Sequence, residues 1–480
     1  MRTGAGSLSV RGIWCGAEDF GRTPESAAEY AQRLSEARIN LVAVCVKGSG
    51  TLFWPSRLHP EAVADAYREI DLPAEIVKAC RQRGIQVHAW FIDFMESASG
   101  PAFTGHPEWA MRNAAGETTA SETLRGQPYH SVWMCPARRP GYADQWLIPL
   151  MREFAERYDV DAIHHDYIRY PGDLAPDQYC FCDHCLRELP RYAGYVTEAF
   201  PDEAFPPRTY DRPYLEAHWE PGPRVLPPDW NHLPRARKSA FLLEGGFFEG
   251  GRRDLDYFFY LYRVDAIQRF AREAAAAIRE ARPGMAISAA VFKNPIHSGR
   301  FIGQDWRRFP PHVDIAMPMD YRDHFPGDFD TYLTLLEESV ASQKAWACGY
   351  RALWPGVAAN FLYFEEERPL RRIAAALDEG GDIEDIRPAL DDLPARLREF
   401  APDLNRRLNA FTGEDAPGLA GAVRAFLDAP PPGYRSPEKM ERAIACIRDT
   451  GAEGICIFSG GLLTRYDLWD AVGRAFTQDA

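Results

Sequence analysis

The sequence predicts an α/β protein, a (β/α)8 TIM barrel with two long insertions on its C-terminal face. Short apolar runs alternate with amphipathic stretches along most of the 480 residues, which is typical of repeated βα units around a parallel sheet. Eight such runs can be counted, and eight strands close a barrel of this kind. A barrel with insertions can run beyond about 400 residues, so we predict a single domain over residues 1–480.

The predicted strands are short, apolar and separated by helical patterns. They cover residues 12–15, 40–47, 86–93, 160–170, 286–292, 313–320, a part of 354–364, and 454–459. Helices are predicted at 23–37, 73–83, 142–158, 256–281, 331–344, 436–450 and 462–476. The first helix carries a clear start signal, since Thr23 can cap it and Pro24 fits its first turn.

Two connections are longer than ordinary loops. Residues 173–254 follow strand four and are rich in Pro, Tyr, Trp and charge, whereas residues 365–434 follow strand seven and are helical in pattern. Long connections after barrel strands belong to the face where barrels place their active sites. We therefore expect both insertions to wall a cleft, with an oligomer contact as the alternative.

Charge and hydropathy exclude several partners. The net charge is −14, so the chain lacks the cationic surface that nucleic acids and anionic membranes require, whereas a neutral polymer is indifferent to it. No run of about 20 apolar residues spans a membrane. The first ten residues contain no apolar core of a signal peptide. We expect a cytoplasmic protein, or an exported one whose signal has been removed.

Three carboxylates stand at the C-terminal ends of predicted strands, where barrel enzymes place catalytic groups. Asp93 ends strand three, Asp166 ends strand four and Asp320 ends strand six. Alternation along strand four puts Ala162 and His164 on the same face as Asp166. This order, from small to acidic, suits a barrel interior that opens upward. We expect Asp166 to point into the cleft.

Strands two and six repeat this order. Strand two places Cys45 and Lys47 on one face, and strand six places Pro318 and Asp320 on one face. We expect Lys47 and Asp320 to reach the rim of the same pocket.

These carboxylates indicate the chemistry. Cleavage of an acetal between sugars needs a proton donor for the leaving oxygen and a second carboxylate that attacks carbon or activates water. We predict a glycoside hydrolase that cleaves O-glycosidic bonds in an oligosaccharide or polysaccharide and requires no cofactor for the chemistry. Neighbouring aromatic rings supply flat apolar faces for sugar rings. The predicted substrate-binding residues are Lys47, Trp54, His88, Trp90, His164, Arg169, Tyr170 and Tyr321.

Several strings, in order along nearly the whole chain, resemble the bacterial family often labelled family-10 glycosylhydrolase-like, whose members have a barrel fold. The strings are Arg11-Gly-Ile-Trp14, Gln86-Val-His-Ala-Trp-Phe91, Met134-Cys-Pro136, Val160-Asp-Ala-Ile-His-His-Asp-Tyr-Ile-Arg-Tyr-Pro171, Gln304-Asp-Trp306, Asp314-Ile-Ala-Met-Pro318 and Gly454-Ile-Cys-Ile-Phe-Ser459. The resemblance implies a hydrolase that acts on O-glycosidic bonds, with the motif position on Asp166. His165 departs from the family pattern, which more usually has a hydrophobic residue there.

Three cysteines cluster soon after Asp166, as Cys180-Phe-Cys182-Asp-His-Cys185. This spacing fits a structural zinc site, which needs a fourth ligand from elsewhere in the chain. A disulfide or free thiols are the alternatives. A metal here would staple the loop.

Two other functions remain open. A carbohydrate-binding barrel without catalysis would keep the aromatic residues but lack a second carboxylate beside Asp166. A metal-dependent hydrolase would use His88, His164, His165 and Asp166 as ligands. It is disfavoured because strand one lacks the His-x-His pair that barrel amidohydrolases place there.

Overall fold

The structure is a computed structural model that describes residues 7–124, 127–175, 177–199, 230–244 and 254–477, with a closed barrel of parallel strands at its centre. The strands are β1 (Val10–Cys15), β2 (Leu41–Lys47), β3 (Gln86–Ile92), β4 (Ala162–Asp166), β5 (Ala286–Phe292), β6 (Ile315–Met319), β7 (Gly356–Ala358) and β8 (Gly454–Phe458). Each strand pairs in parallel with the next, and β8 pairs with β1. The predicted (β/α)8 barrel is therefore confirmed.

Helices alternate with these strands. They are α1 (Pro24–Glu36), α2 (Leu72–Arg81), α3 (Ile148–Arg157), α4 (Asp254–Ala281), α5 (Pro295–Ile302), α6 (Phe329–Trp346), α7 (Pro437–Asp449) and α8 (Trp469–Thr477). α1 begins as predicted, since the Thr23 side chain accepts a hydrogen bond from the Ser26 backbone at 3.1 Å. α5 is an unpredicted helix. Asn294 caps it by accepting from the backbone N–H groups of Ile296 and His297.

Two predicted helices differ from the observed ones. The helix predicted at 462–476 is two helices, Gly460–Tyr466 and α8, because Asp467 between them has a left-handed φ of 54°. The helix predicted at 142–158 starts with a π-helical turn at Ala143–Leu147, which α3 continues.

The seventh strand position is filled by two short pieces. Ala352–Leu353 pairs with Ile315 and Ala316 of β6, and β7 pairs with the end of β6 and with β8. Between the pieces stands Pro355, which has no N–H to donate to a neighbouring strand. The predicted range 354–364 therefore contains β7, but pairing starts two residues earlier.

Side-chain alternation along the strands separates two apolar cores. In β2, Val42, Val44 and Val46 belong to the outer core beneath the helices, whereas Ala43 and Cys45 belong to the core inside the barrel. Small inward residues fit the narrow interior. Inward-facing side chains at the C-terminal strand ends converge on one opening, which we call the mouth.

The two predicted insertions contain further helices. After β4 the structure describes Asp183–Ala199 and Arg235–Glu244, while residues 200–229 and 245–253 lie outside the described part. After β7 come Phe364–Asp378, Ile383–Asp391, Ala395–Phe400, Pro402–Asn409 and Ala416–Asp428. These five helices pack around an apolar cluster of their own, which includes Leu370, Leu408 and Phe426. None of the described helices has the combination of length and apolarity that crossing a bilayer requires.

Short elements fill the connection between β3 and α3. Met95–Ser97 pairs with Ser131–Trp133 and Thr123–Leu124 pairs with Gln127–Pro128, both antiparallel, and a short helix covers Pro101–Gly105.

Candidate active site

Asp166 is the last residue of β4 and lies at the mouth. It shares a face of the strand with His164, whose Nε2 accepts a hydrogen bond from the Trp14 indole inside the barrel at 2.9 Å. The Tyr167 backbone N–H donates to Asp166 Oδ1 at 2.7 Å, and Tyr167 has a left-handed φ of 53°. That conformation costs a residue other than glycine roughly 1–2 kcal/mol, and such strain concentrates at functional sites.

Burial raises the pKa of Asp166 above its ordinary value, because the carboxylate has lost most of its contact with water. The Arg169 guanidinium, the Tyr167 N–H and the Trp90 indole favour the ionised form, but burial outweighs them. A carboxyl group that keeps its proton to higher pH is suited to donate it to a leaving oxygen.

Arg169 is a buried guanidinium beside this carboxyl group. Its Nη1 lies 3.5 Å from Asp166 Oδ1, and its plane lies over the rings of Tyr167 at 4.2 Å and Phe292 at 4.9 Å. Within the described residues, Nε and Nη1 are buried and have no hydrogen-bond partner. The predicted contact of Arg169 with a substrate stays a prediction.

Aromatic rings line the mouth around Asp166. The Phe458 ring lies 6.4 Å from Trp90 and 5.9 Å from Tyr321, and Tyr321 lies 6.2 Å from Phe361. Trp90 and Tyr321 both lie close enough to Asp166 to act on its carboxyl group electrostatically or through a hydrogen bond. Their predicted contact with a sugar stays a prediction.

Asp320 does not lie at the mouth, and its predicted position is wrong. In β6 the inward residues are Ile315, Met317 and Met319, so Asp320 is turned outward beneath α6. There its carboxylate is fully buried and accepts hydrogen bonds from Gln343 and Ser339, both at 2.8 Å. Asp320 is thus a buried acid that joins the sheet to a helix.

Asp320 makes the stability of the fold depend on pH. Burial raises its pKa to about 7. Because the folded chain holds a proton that the unfolded chain releases above about pH 4, the free energy of unfolding falls as pH rises from about 4 to 7. The asparagine in Asp320→Asn does not ionise, so this variant does not lose free energy of unfolding in that way. We expect its stability advantage over the wild type to grow by roughly 2–3 kcal/mol between pH 5 and pH 8.

Urea unfolding at the two pH values measures this change. Asp403→Asn is the matched control, because the Asp403 side chain is 86% exposed. An equal response of the two variants to pH would contradict the prediction.

Asp93 is also turned away from the mouth, which corrects its predicted role there. Its Oδ2 meets Nδ1 of His165 at 2.9 Å, and both side chains are buried. His165 lies on the face of β4 opposite to Asp166 and contacts Phe270 of α4. Burial raises the pKa of Asp93, while His165 opposes that shift.

Lys47 faces outward as well, because β2 contains an irregularity. The pairing of β2 with β3 shifts between Cys45 and Lys47, so Lys47 stands opposite the outward residue Phe91. Its ammonium group is buried and pairs with Glu96 at 2.8 Å. The prediction that Lys47 reaches the pocket rim is wrong.

Two aromatic residues predicted to bind substrate are buried elsewhere. Trp54 packs between Phe91 and Phe154 in the outer core, and it is fully buried. Tyr170 is fully buried beneath the Arg263 guanidinium, 4.3 Å from its ring. Neither ring can contact a sugar at the mouth.

His88 and His164 form a layer below the mouth. Ser288 Oγ lies 2.9 Å from Nδ1 of His88 and 2.8 Å from Nδ1 of His164. Burial lowers the pKa of His88 to about 3 and also lowers that of His164, so both rings are neutral. They are packed, hydrogen-bonded core residues, which corrects their predicted contact with substrate.

Comparison with known proteins finds one family model that matches the N-terminal part of the chain. Residues 9–188 match the family model described as Glycosyl hydrolase-like 10. This match confirms the resemblance predicted from the sequence. The Glycosyl hydrolase-like 10 segment runs from β1 through β4 and includes Asp166 and Arg169. No curated protein matches the chain.

Solved structures are similar in fold at low identity. A β-galactosidase from the psychrophilic Marinomonas ef1 has 12% identity and a TM-score of 0.45, with 72% of this chain and 48% of that chain covered. A β-galactosidase from Rahnella sp. R3 has 15% identity and a TM-score of 0.46, with 74% and 46% covered. A hypothetical protein from Ruminiclostridium thermocellum has 20% identity and a TM-score of 0.27, with 33% and 78% covered. The chain spans about half the length of the two β-galactosidases.

A group of four buried cysteines lies inside the Glycosyl hydrolase-like 10 segment. The predicted Cys180, Cys182 and Cys185 are joined by Cys135, and the four sulfur atoms lie within 4.8 Å of one another. Cys135 Sγ is 3.5 Å from Cys185 Sγ and 3.9 Å from Cys182 Sγ, so none of these pairs is a disulfide. Such a group could hold a metal ion.

Cys135 is the member of this group that the sequence alone did not identify. It lies 45 residues before Cys180, and the strand pairing of Ser131–Trp133 positions the segment just before it. The sequence offers only the short string Met134-Cys-Pro136 as a signal, and it does not connect Cys135 with the later cysteines.

Proposed function

We propose that the chain is a glycoside hydrolase that cleaves O-glycosidic bonds in an oligosaccharide or polysaccharide, with Asp166 as the general acid. One observation carries this proposal: a buried carboxyl group with a raised pKa lies at the mouth of the barrel among aromatic faces. The match of residues 9–188 to Glycosyl hydrolase-like 10 supports it.

Each residue at the mouth has its own role in the proposed reaction. Trp90 and Tyr321 hold a sugar ring by its apolar face, which brings the glycosidic oxygen to the end of β4. Asp166 then donates its proton to that oxygen as the bond to the anomeric carbon breaks. Arg169 donates hydrogen bonds to the sugar and stabilises the Asp166 carboxylate that remains. The protonated form of Asp166 is required, so turnover falls as pH rises through its pKa.

A carbohydrate-binding barrel without catalysis is the second candidate. It is favoured by the outward orientation of Asp93 and Asp320, since neither supplies a second carboxylate to Asp166. A metal-dependent hydrolase is disfavoured by geometry. His165 and Asp166 lie on opposite faces of β4, and His164 already bonds Trp14 and Ser288.

A panel of oligosaccharides and polysaccharides separates the two main candidates. Release of new reducing ends is measured beside equilibrium binding of the same sugars. We expect turnover of at least one sugar that binds. Binding with no release from any member of the panel would favour the non-catalytic barrel.

We also propose that the four cysteines hold a structural zinc ion. Tetrahedral zinc with sulfur ligands at about 2.3 Å places the sulfur atoms about 3.8 Å apart. The observed separations of 3.5 and 3.9 Å lie on either side of that value. The ion would fasten the connection after β4 to the segment that precedes α3. Metal analysis of the purified protein is expected to find one zinc per chain.

A further inference from the structure

Glu18 is an acidic residue at the mouth that the sequence analysis did not single out. It lies in a short 3₁₀ turn, Ala17–Phe20, directly after β1. Gly16, between the strand and this turn, keeps an extended backbone with φ −69° and ψ 157°. Alternation therefore continues from Trp14, an inward residue, to Gly16, whose missing side chain would point toward the barrel axis.

The Glu18 carboxylate fills the space of that missing side chain. A Cβ atom added to Gly16 would lie only 2.3 Å from Glu18 Oε1, 2.4 Å from Cδ and 2.5 Å from Oε2. Glycine at position 16 thus lets Glu18 fold back over the end of β1. The carboxylate occupies the inward position at the C-terminal end of that strand.

Within the residues that the structure describes, Glu18 differs from its neighbour Asp19 in having no side-chain hydrogen-bond partner. Asp19 accepts a hydrogen bond from the Gly16 backbone N–H at 3.0 Å. Glu18 is exposed, and the described part of the chain offers its carboxylate neither a hydrogen bond nor an ion pair. Its oxygens are therefore free to contact a ligand or water at the mouth.

The charges of Glu18 and Asp166 both act on one interior residue. Cys45 is an inward residue near the end of β2, and burial raises the pKa of its thiol, with further contributions from the charges of Glu18 and Asp166. In the ring of eight, β1 and β4 are three positions apart, so two other strands separate their ends around the mouth. A sugar held between them has one carboxyl group on either side.

We propose that Glu18 is the second catalytic carboxylate, the general base that works opposite Asp166. The inference rests on the proposed hydrolase function and completes it. Glu18 takes a proton from a water molecule, whose oxygen forms a bond to the anomeric carbon. The bond from that carbon to the glycosidic oxygen breaks, its electron pair stays on the oxygen, and Asp166 supplies the proton. Attack from the side opposite the leaving group inverts the anomeric centre.

Glu18→Gln is the direct test on a sugar that the wild type cleaves. We expect kcat to fall about 10²-fold, which is the lower range for loss of a general base. Nuclear magnetic resonance of fresh product from the wild type should show the inverted anomer.

Gly16→Ala tests the position of the Glu18 carboxylate without removing it. The new methyl group would displace Glu18, whose flexible side chain can move while the backbone stays in place. We expect kcat to fall about tenfold with an unchanged melting temperature. Gly105→Ala is the matched control, since an added Cβ there meets nothing within 4 Å, and it should keep wild-type kcat.

The outcomes separate this inference from the function on which it rests. An inactive Asp166→Asn beside a fully active Glu18→Gln would overturn the role of Glu18 and leave the hydrolase intact. Retention of the anomeric configuration would also overturn the general base. A wild type that cleaves no glycoside would overturn both proposals.

Discussion

Asp166→Asn is expected to lower kcat by about 10³-fold, within the range of roughly 10²–10⁴ for the loss of a general acid. Asparagine has almost the same shape and can still accept from the Tyr167 N–H, so the turn after β4 should survive. What disappears is the proton that the leaving oxygen needs. Sugar affinity should change little, because Trp90, Tyr321 and Arg169 remain in place.

Steady-state kinetics over a range of pH checks this expectation. In the wild type, kcat/KM should fall as pH rises through the raised pKa of Asp166, and the variant should lack that basic limb. Asp403→Asn, at an exposed position, should behave as the wild type. Full activity of Asp166→Asn would contradict the proposal that Asp166 is the general acid.

Cys135→Ser is expected to have the largest effect on stability. A serine hydroxyl is a poor zinc ligand, and a site with three thiolates and no fourth ligand binds the ion far less tightly. We expect zinc content to fall from one per chain to near zero and the stability of the connection after β4 to drop by on the order of 5 kcal/mol. Limited proteolysis should then cut within residues 177–199.

Cys348→Ser is the matched control for this experiment, because Cys348 is exposed and lies outside the group of four. Elemental analysis and thermal unfolding of both variants give the comparison. If Cys135→Ser keeps its zinc and its melting temperature, the four cysteines do not form a metal site.

The elements of the barrel could be predicted because their apolar runs are short and regularly interrupted. The orientation of side chains within a strand was harder to predict. In β6 both faces are apolar, so alternation cannot tell which face is inner, and Met317 and Met319 fill the interior instead of the smaller Ala316. Asp320 was consequently assigned to the wrong side.

Other residues depend on contacts that a sequence does not display. The irregularity after Cys45 turns Lys47 outward, and it leaves no trace in the alternation of β2. Cys135 joins three distant cysteines only because strand pairing brings its segment to them. Glu18 follows a strand by three residues, beyond the position where an inward side chain is normally sought, and only the glycine before it reveals its direction.

The hydrogen-bonded layer beneath the mouth limits where protons can travel. The Trp14 indole can only donate, so Nε2 of His164 must accept and its Nδ1 must carry the hydrogen that Ser288 receives. Ser288 Oγ also forms a hydrogen bond with Nδ1 of His88. Because both imidazoles resist protonation, this layer is a poor route for protons toward Asp166. In the proposed reaction, Asp166 would therefore regain its proton from solvent at the mouth.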